Sequence, residues 1–389
     1  MKKSIVCFFA LILTFCCIFV PAGETRFASA VEEDVSVTLK LSARSAFLMD
    51  YDTDIVIYEK NANERLPVAS MTKLALLWVV FDYLNKGIIK ENDYVLVSEN
   101  AAAVGGSSAF LDSGSSYKLS ELVKSVIVAS ANDSSVALAE KVCGSEELFV
   151  SKMNQKVMSL GLQNTNFVNC TGLPADDHYS SAYDMAQIYK QVCDNKLYKK
   201  YAKIWMDDFV HPSGRKTGLV NTNRLVKTFD GIEGGKTGYT DAAKFCLTTS
   251  AKRGNSRFVA VVIGVSDSKT RFAEARKLLN FGFANFEHKV VTNAEVPVTI
   301  HKFKAAKKPV QIYPEKTIVK LMSKTEDEQF STDYQINELK APIKKGDVVG
   351  KMFVFDKNNM VVDEIRLIVK TDVAQLGVKE SLKKLIKSW

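Results

Sequence analysis

The spacing of apolar residues changes along this chain, and the order of those changes most restricts its fold. Residues 45–49 and 55–58 are short apolar runs separated by Asp50, Tyr51, Asp52, Thr53 and Asp54, which predicts a hairpin. From about Ser70 the spacing turns helical, with Leu74, Leu77, Trp78 and Phe81 on one face before Gly87 ends the run. A second helical stretch covers residues 119–158 and is interrupted near Ser130 to Asp133. After Asp230, residues 245–250 and 258–265 read as strands joined by a turn at Gly254 and Asn255, and residues 271–286 form a closing helix. Strands, a helical insert, strands and a final helix predict an α+β domain over 31–286 with an antiparallel sheet. Beyond Phe286 the period is two, in residues 296–300, 317–321 and 352–355, so a small all-β domain follows over 287–371. It carries no catalytic motif.

A length of 389 residues suits two domains, and 47% hydrophobic with 25% charged residues excludes a disordered chain. The first thirty residues differ from the rest. Lys2 and Lys3 precede an apolar run over 5–20, and Ala28, Ser29 and Ala30 offer a cleavage site, which predicts a signal peptide over 1–30. An uncleaved anchor is the alternative, and in both cases the body is exported to the outer face of the cytoplasmic membrane. Loss of Lys2, Lys3, Arg26 and Glu24 takes the net charge from +8 to +6. A basic exported protein suits anionic envelope surfaces and excludes nucleic acid as a partner.

Cys7, Cys16 and Cys17 lie in the leader, leaving Cys143, Cys170, Cys193 and Cys246 scattered through the body without CxxC spacing. Buried free thiols are expected. His178, His211, His288 and His301 show no ligand spacing, and no metal or other cofactor is called for. At the far end, residues 372–389 are expected to carry an amphipathic helix. Val378, Leu382, Leu385, Ile386 and Trp389 share one face and Lys379, Lys383, Lys384 and Lys387 the other. The twelve residues from Val378 to Trp389 span about 18 Å as a helix, too short to cross a bilayer but suited to lying on its surface. Docking on its own protein is the other reading.

Three short motifs can carry chemistry. Ser70 and Lys73 stand at i and i+3 where a helix begins, which brings hydroxyl and amine within reach of each other. A Lys73 kept neutral by burial and a second cation could take the serine proton. The spacing alone is weak, because Ser115/Lys118, Ser213/Lys216, Ser266/Lys269 and Ser381/Lys384 share it. Only Ser70 adds the entry Pro67, Val68, Ala69 and an apolar helical run behind it. Ser130, Ala131 and Asn132 occupy the helix break, where a hydroxyl could relay a proton and an amide hold a carbonyl. Ser98, Glu99 and Asn100 form an equally regular decoy, and such residues at a helix break are commonly caps. Lys236, Thr237 and Gly238 lead into the β run, where amine and hydroxyl can hold a carboxylate. Their rival is Lys216, Thr217 and Gly218, which precedes a polar loop in this reading.

In this order the three motifs match those of β-lactamases and penicillin-binding proteins. The chain resembles the low-molecular-weight penicillin-binding proteins, serine D-Ala-D-Ala carboxypeptidases, over nearly its whole length. The fold implied is a transpeptidase-like catalytic domain, a β-rich tail domain and a terminal amphipathic helix. The resemblance implies that Ser70 attacks the bond between two D-alanines of a peptidoglycan stem peptide, with Lys73 as base and Ser130 passing the proton on. It implies that Asn132 orients the peptide, that Lys236, Thr237 and Gly238 form the carboxylate subsite, and that Lys236 helps keep Lys73 neutral. The oxyanion hole would be the backbone N–H groups of Ser70 and Tyr239. β-Lactam antibiotics should acylate the same serine. Two rivals share the motifs: a class A-like β-lactamase, which would need a glutamate that residues 172–178 lack, and a non-catalytic peptidoglycan-binding module.

Overall fold

A computed structural model describes residues 39–325, 330–379 and Ile386. β1 (Ser45–Asp50) and β2 (Val56–Lys60) form the expected hairpin, and a 3-10 turn, Ala69–Thr72, runs into α1 (Lys73–Asn85). A short hairpin of β3 (Tyr94–Leu96) and β4 (Ser116–Lys118) spans α2 (Glu99–Ala103). α3 (Leu119–Ala129), α4 (Asn132–Cys143), α5 (Glu146–Ser159), α6 (Ala182–Cys193) and α7 (Lys196–Tyr201) complete the helical lobe. After the hairpin of β5 (Met206–Val210) and β6 (Lys216–Val220) come α8 (Leu225–Thr228), β7 (Ile232–Thr240), β8 (Lys244–Arg253), β9 (Ser256–Val265) and α9 (Ser268–Asn285).

The central sheet runs β2-β1-β9-β8-β7, all antiparallel, which places β7 on its outer edge. Side chains alternate across it as the two-residue period of a strand demands. Phe47 and Met49 of β1, with Val259, Val261 and Ile263 of β9, join the core under the helical lobe. Ala46, Leu48, Phe258, Ala260 and Val262 face the other way, into the core shared with Ala275, Leu278 and Leu279 of α9. A sheet covered on both faces explains the near-continuous apolar run of β9. α1 is buried on nearly all sides, with Leu74, Ala75, Leu76, Leu77, Val79 and Val80 fully enclosed, and it forms the axis of the lobe.

The long helical stretch has two breaks rather than one. The first, at Ser130, is left-handed at φ 65°, and the second is the left-handed Gly144 followed by Ser145, whose side chain caps α5.

The second domain is all-β, as expected. β10 (Phe286–Thr292) pairs with β13 (Ile318–Ser323). β11 (Thr299–His301), β12 (Val310–Pro314), β14 (Ser331–Ile336), β15 (Val348–Phe355) and β16 (Val361–Val369) form a sheet in the order β11-β12-β16-β15-β14. Its core includes Ile312, Val349, Val354, Leu367 and Val369. His288 ties it to the first domain, 3.0 Å from Asp50 and bonded to the Asn255 carbonyl at 2.6 Å.

Cys170, Cys193 and Cys246 are buried free thiols, and Cys143 is free and half-buried. The predicted signal peptide lies outside the described residues. Of the residues expected to form the terminal helix from Val378 to Trp389, Val378, Lys379 and Ile386 are described, helical and exposed, and the remainder lies outside the described residues. Among the described residues no helix is long and apolar enough to cross a membrane.

Candidate active site

Ser70 sits half-buried in the 3-10 turn, one step before α1. The residue ahead of it, Ala69, has φ 48°, a left-handed backbone that a residue with a Cβ rarely adopts. Two glycines clasp this turn. A Cβ on Gly172, itself at φ 82°, would lie 2.0 Å from the Ala69 carbonyl oxygen, and one on Gly238 would lie 2.4 Å from the Val68 carbonyl oxygen. The serine's position is thus fixed by close backbone contact with β7 and with the loop after α5.

Lys73, the first residue of α1, is fully enclosed and donates to Ser70 Oγ at 2.9 Å and to the Thr171 carbonyl at 2.6 Å. Burial pushes its amine down to about 7, against the opposing pull of Cys170 and Asp133. At neutral pH a large fraction is the free amine, which can accept a proton.

Ser130 occupies the left-handed break between α3 and α4, and its hydroxyl accepts a hydrogen bond from Lys236 Nζ at 2.8 Å. Ser130 ends α3 as its left-handed C-cap through its backbone N–H, but no side chain caps α4, whose N-cap is Ala131, so the Ser130 hydroxyl is not used as a cap. Lys236 also donates to the Thr237 carbonyl at 3.0 Å. Burial first, then Lys73 and Arg271, hold its amine well below the ordinary lysine value. The expected repulsion between the two lysines is therefore present, and burial is the leading cause of the lowering at both amines. Repulsion is mutual, so the buried pair holds one proton far more readily than two.

Asn132 donates from Nδ2 to the Gly105 carbonyl at 2.6 Å, and its Oδ1 is buried with no partner. A buried acceptor left open in a cleft is suited to an incoming N–H donor. Next to it, Asp133 accepts from Ser108 Oγ at 2.6 Å and from the N–H groups of Ala109 and Leu111 at 3.0 Å each. The loop that braces Asn132 is thus itself anchored by Asp133. On the opposite wall, Thr237 Oγ1 donates to Thr222 Oγ1 at 2.8 Å, and Tyr239 is half-exposed where β7 leaves the cleft.

The structure brings Ser70, Lys73, Ser130, Asn132, Lys236, Thr237 and Gly238 to one seam between the lobe and the edge of the sheet. Lys236 lies within β7 rather than ahead of the β run. One expectation is incomplete: Lys216 opens a strand, β6, before the polar loop that holds Thr222. What separates it from Lys236 is its surroundings, for its amine is exposed and pairs with Asp208 at 3.1 Å. Ser98 of the other decoy is a helix cap, accepting from the Ala101 N–H.

Several contributors escaped the sequence reading. The carbonyls of Thr171 and Gly105 leave no side-chain signature. Thr222 sits in a polar loop without pattern. Arg271, whose Nη1 donates to the Gly238 carbonyl at 3.3 Å, did leave a signal, a cation on the same helical face as Ala275 and Leu278.

Serine, buried amine and a second lysine at the seam of an α lobe and an antiparallel sheet define an enzyme that takes an acyl group onto a serine. Residues 29–267 match the family described as D-alanyl-D-alanine carboxypeptidase, and residues 286–375 match the penicillin-binding protein 5 C-terminal domain. The chain belongs to the peptidase S11 family of serine-type D-Ala-D-Ala carboxypeptidases, which act in peptidoglycan metabolism. It is similar to D-alanyl-D-alanine carboxypeptidase DacF of Bacillus subtilis, at 41% identity over 89% of this chain and 90% of the relative. DacC of Escherichia coli is 34% identical over 90% of this chain and 88% of the relative. Among solved structures, penicillin-binding protein 5 of Haemophilus influenzae matches with a TM-score of 0.69 at 32% identity, covering 86% of this chain and 98% of that one.

Proposed function

We propose that the chain removes the terminal D-alanine from peptidoglycan stem pentapeptides through an acyl-enzyme on Ser70. The observation that carries this reading is the 2.9 Å contact between a serine hydroxyl and a buried amine near neutrality. Lys73 takes the Ser70 proton as Oγ attacks the carbonyl between the two D-alanines. The carbonyl oxygen gathers negative charge and is held by the backbone N–H groups of Ser70 and Tyr239, each donor typically worth ~3 kcal/mol. Ser130 passes a proton to the leaving amine, and its bond to Lys236 keeps the hydroxyl aimed into the cleft. Asn132 Oδ1 receives a peptide N–H. Lys236 and Thr237 take the terminal carboxylate, whose charge restores the proton that burial discourages on Lys236. Gly238 admits the peptide to the strand edge, and water then releases the shortened peptide.

Mass spectrometry of a pentapeptide digest tests the reaction: loss of a single D-alanine by the wild type and none by Ser70→Ala is expected. Release by the Ser70→Ala variant at the wild-type rate would remove Ser70 from the role. Penicillin presents a similar carboxylate and carbonyl, so a fluorescent penicillin should label Ser70 covalently. Rapid turnover of penicillin without a stable adduct would revive the β-lactamase reading.

The domain limits proposed are 31–286 and 287–371, after a leader over 1–30 that exports the chain. Residues 378–389 rest on the outer face of the cytoplasmic membrane as a surface helix. A chain without them should leave the membrane fraction once the leader is cleaved, and retention there would assign the anchor elsewhere.

A further inference from the structure

Seven of the fourteen lysines in residues 287–371 lie at one end of the second domain. The segment 302–308, between β11 and β12, carries Lys302, Lys304, Lys307 and Lys308 and no acidic residue, and all four are exposed. It lies beside the segment 337–347, which joins β14 to β15 and carries exposed Lys340, Lys344 and Lys345. The link is a backbone bridge between Lys304 and Lys340, with Lys304 N–H donating to the Leu339 carbonyl at 3.2 Å. The chain leaving β16 passes along the same end. Val373 bridges to Ile343, Gln375 to Ala306, and Leu376 N–H donates to the Ala305 carbonyl at 2.8 Å. Lys379 follows two residues after Gly377.

These three segments, the last taken from Lys370, together hold nine lysines against three carboxylates, Glu338, Asp347 and Asp372. Glu338 pairs with Lys304 at 3.0 Å, Lys370 pairs with Glu295 outside these segments at 2.7 Å, and Lys307 is also engaged. His288, Leu321 and Lys324, which join the second domain to the first, do not belong to this end.

We propose that this lysine-rich end is a contact surface for the anionic headgroups of a lipid bilayer, acting beside the terminal segment. The proposal builds on the membrane-surface reading of residues 378–389. The chain emerges from the lysine cluster directly into that segment, so a segment lying on a bilayer sets the cluster against the headgroups. Lysines within a Debye length of an anionic surface add to binding, and a salt-screened contribution follows. An apolar helix face and a basic patch are also the two signals that together give a stable surface anchor where one alone is marginal.

The test is sedimentation of the leaderless chain with phosphatidylcholine vesicles and with vesicles that also contain phosphatidylglycerol. It compares the wild type, a Lys302→Gln, Lys308→Gln, Lys344→Gln, Lys345→Gln variant, a chain ending at residue 377, and both changes combined. Penicillin labelling of each protein reports that the catalytic domain is folded. The quadruple variant should bind phosphatidylglycerol vesicles up to about a thousand-fold more weakly and phosphatidylcholine vesicles as the wild type does. Added salt should erase the difference. Wild-type binding by the quadruple variant on phosphatidylglycerol vesicles overturns the proposal, whatever truncation does. Loss of binding to polyglycerol phosphate without loss on vesicles also overturns it, in favour of a wall polymer. If truncation changes neither vesicle type while the quadruple variant loses phosphatidylglycerol binding, the terminal-helix reading fails and the lysine contact stands.

Discussion

A lysine amine enclosed beside a serine hydroxyl makes the reaction depend on pH with a fixed sign. Below about 7 Lys73 is an ammonium and cannot take the Ser70 proton, so acylation by penicillin should rise as pH rises through that value and then level. Stopped-flow measurement of the acylation rate against pH checks this, and Lys73→Arg, which stays charged, should lower the plateau by about a hundred-fold or more. Asp133 offers a second case. Asp133→Asn should lower kcat/KM for the pentapeptide by about ten-fold or more, because the loop carrying Gly105 loses charge-assisted anchors to Ser108, Ala109 and Leu111. The same change should cost about 2 kcal/mol in denaturant unfolding. Ser70 and Lys73 were legible because their contact is one helical turn long. Asp133 was not, since an acid in the first turn of a helix looks like ordinary complementation of the helix dipole. Its true partners lie 22 to 25 residues upstream in a loop.

At the scale of elements, the central strands and the helical insert followed from apolar spacing, because a sheet covered on both faces writes its burial into sequence. Lys236 was preferred to Lys216 on local composition, which shows only part of the difference between them. Both stand on strands, but β7 joins the central sheet and β6 pairs only with β5. Edge pairing of that kind depends on tertiary neighbours rather than on local composition. The clasp on the Ser70 turn was equally silent. A methyl on Gly172 meets the Ala69 carbonyl and forces a left-handed alanine, so Gly172→Ala should abolish penicillin labelling. Its far-ultraviolet circular dichroism spectrum should stay near native, since Val68, Ala69 and Met71 are a small part of the core that the helices build.

For the whole molecule, the described junction between domains is sensitive to pH. His288 is fully enclosed beside Asp50 and bonded to Asn255, and the Asp50 contact raises its pKa against the cost of burial. A histidine whose folded pKa is raised contributes stability that is complete below about 6.5 and is lost as pH rises through the folded value. The thermal midpoint should therefore fall as pH increases across that window, by about 2–4 °C for each kcal/mol lost. His288→Asn should flatten the dependence in calorimetry. The bond between Lys236 and Ser130 has a different consequence. It joins residues 106 positions apart and completes a cleft whose Ser70–Lys73 pair forms locally. Contacts of long sequence separation are slow to form, because loop closure comes before their reward. During refolding, then, helix signals should return before the ability to react with penicillin, and the antibiotic becomes a clock for the final docking of sheet and lobe.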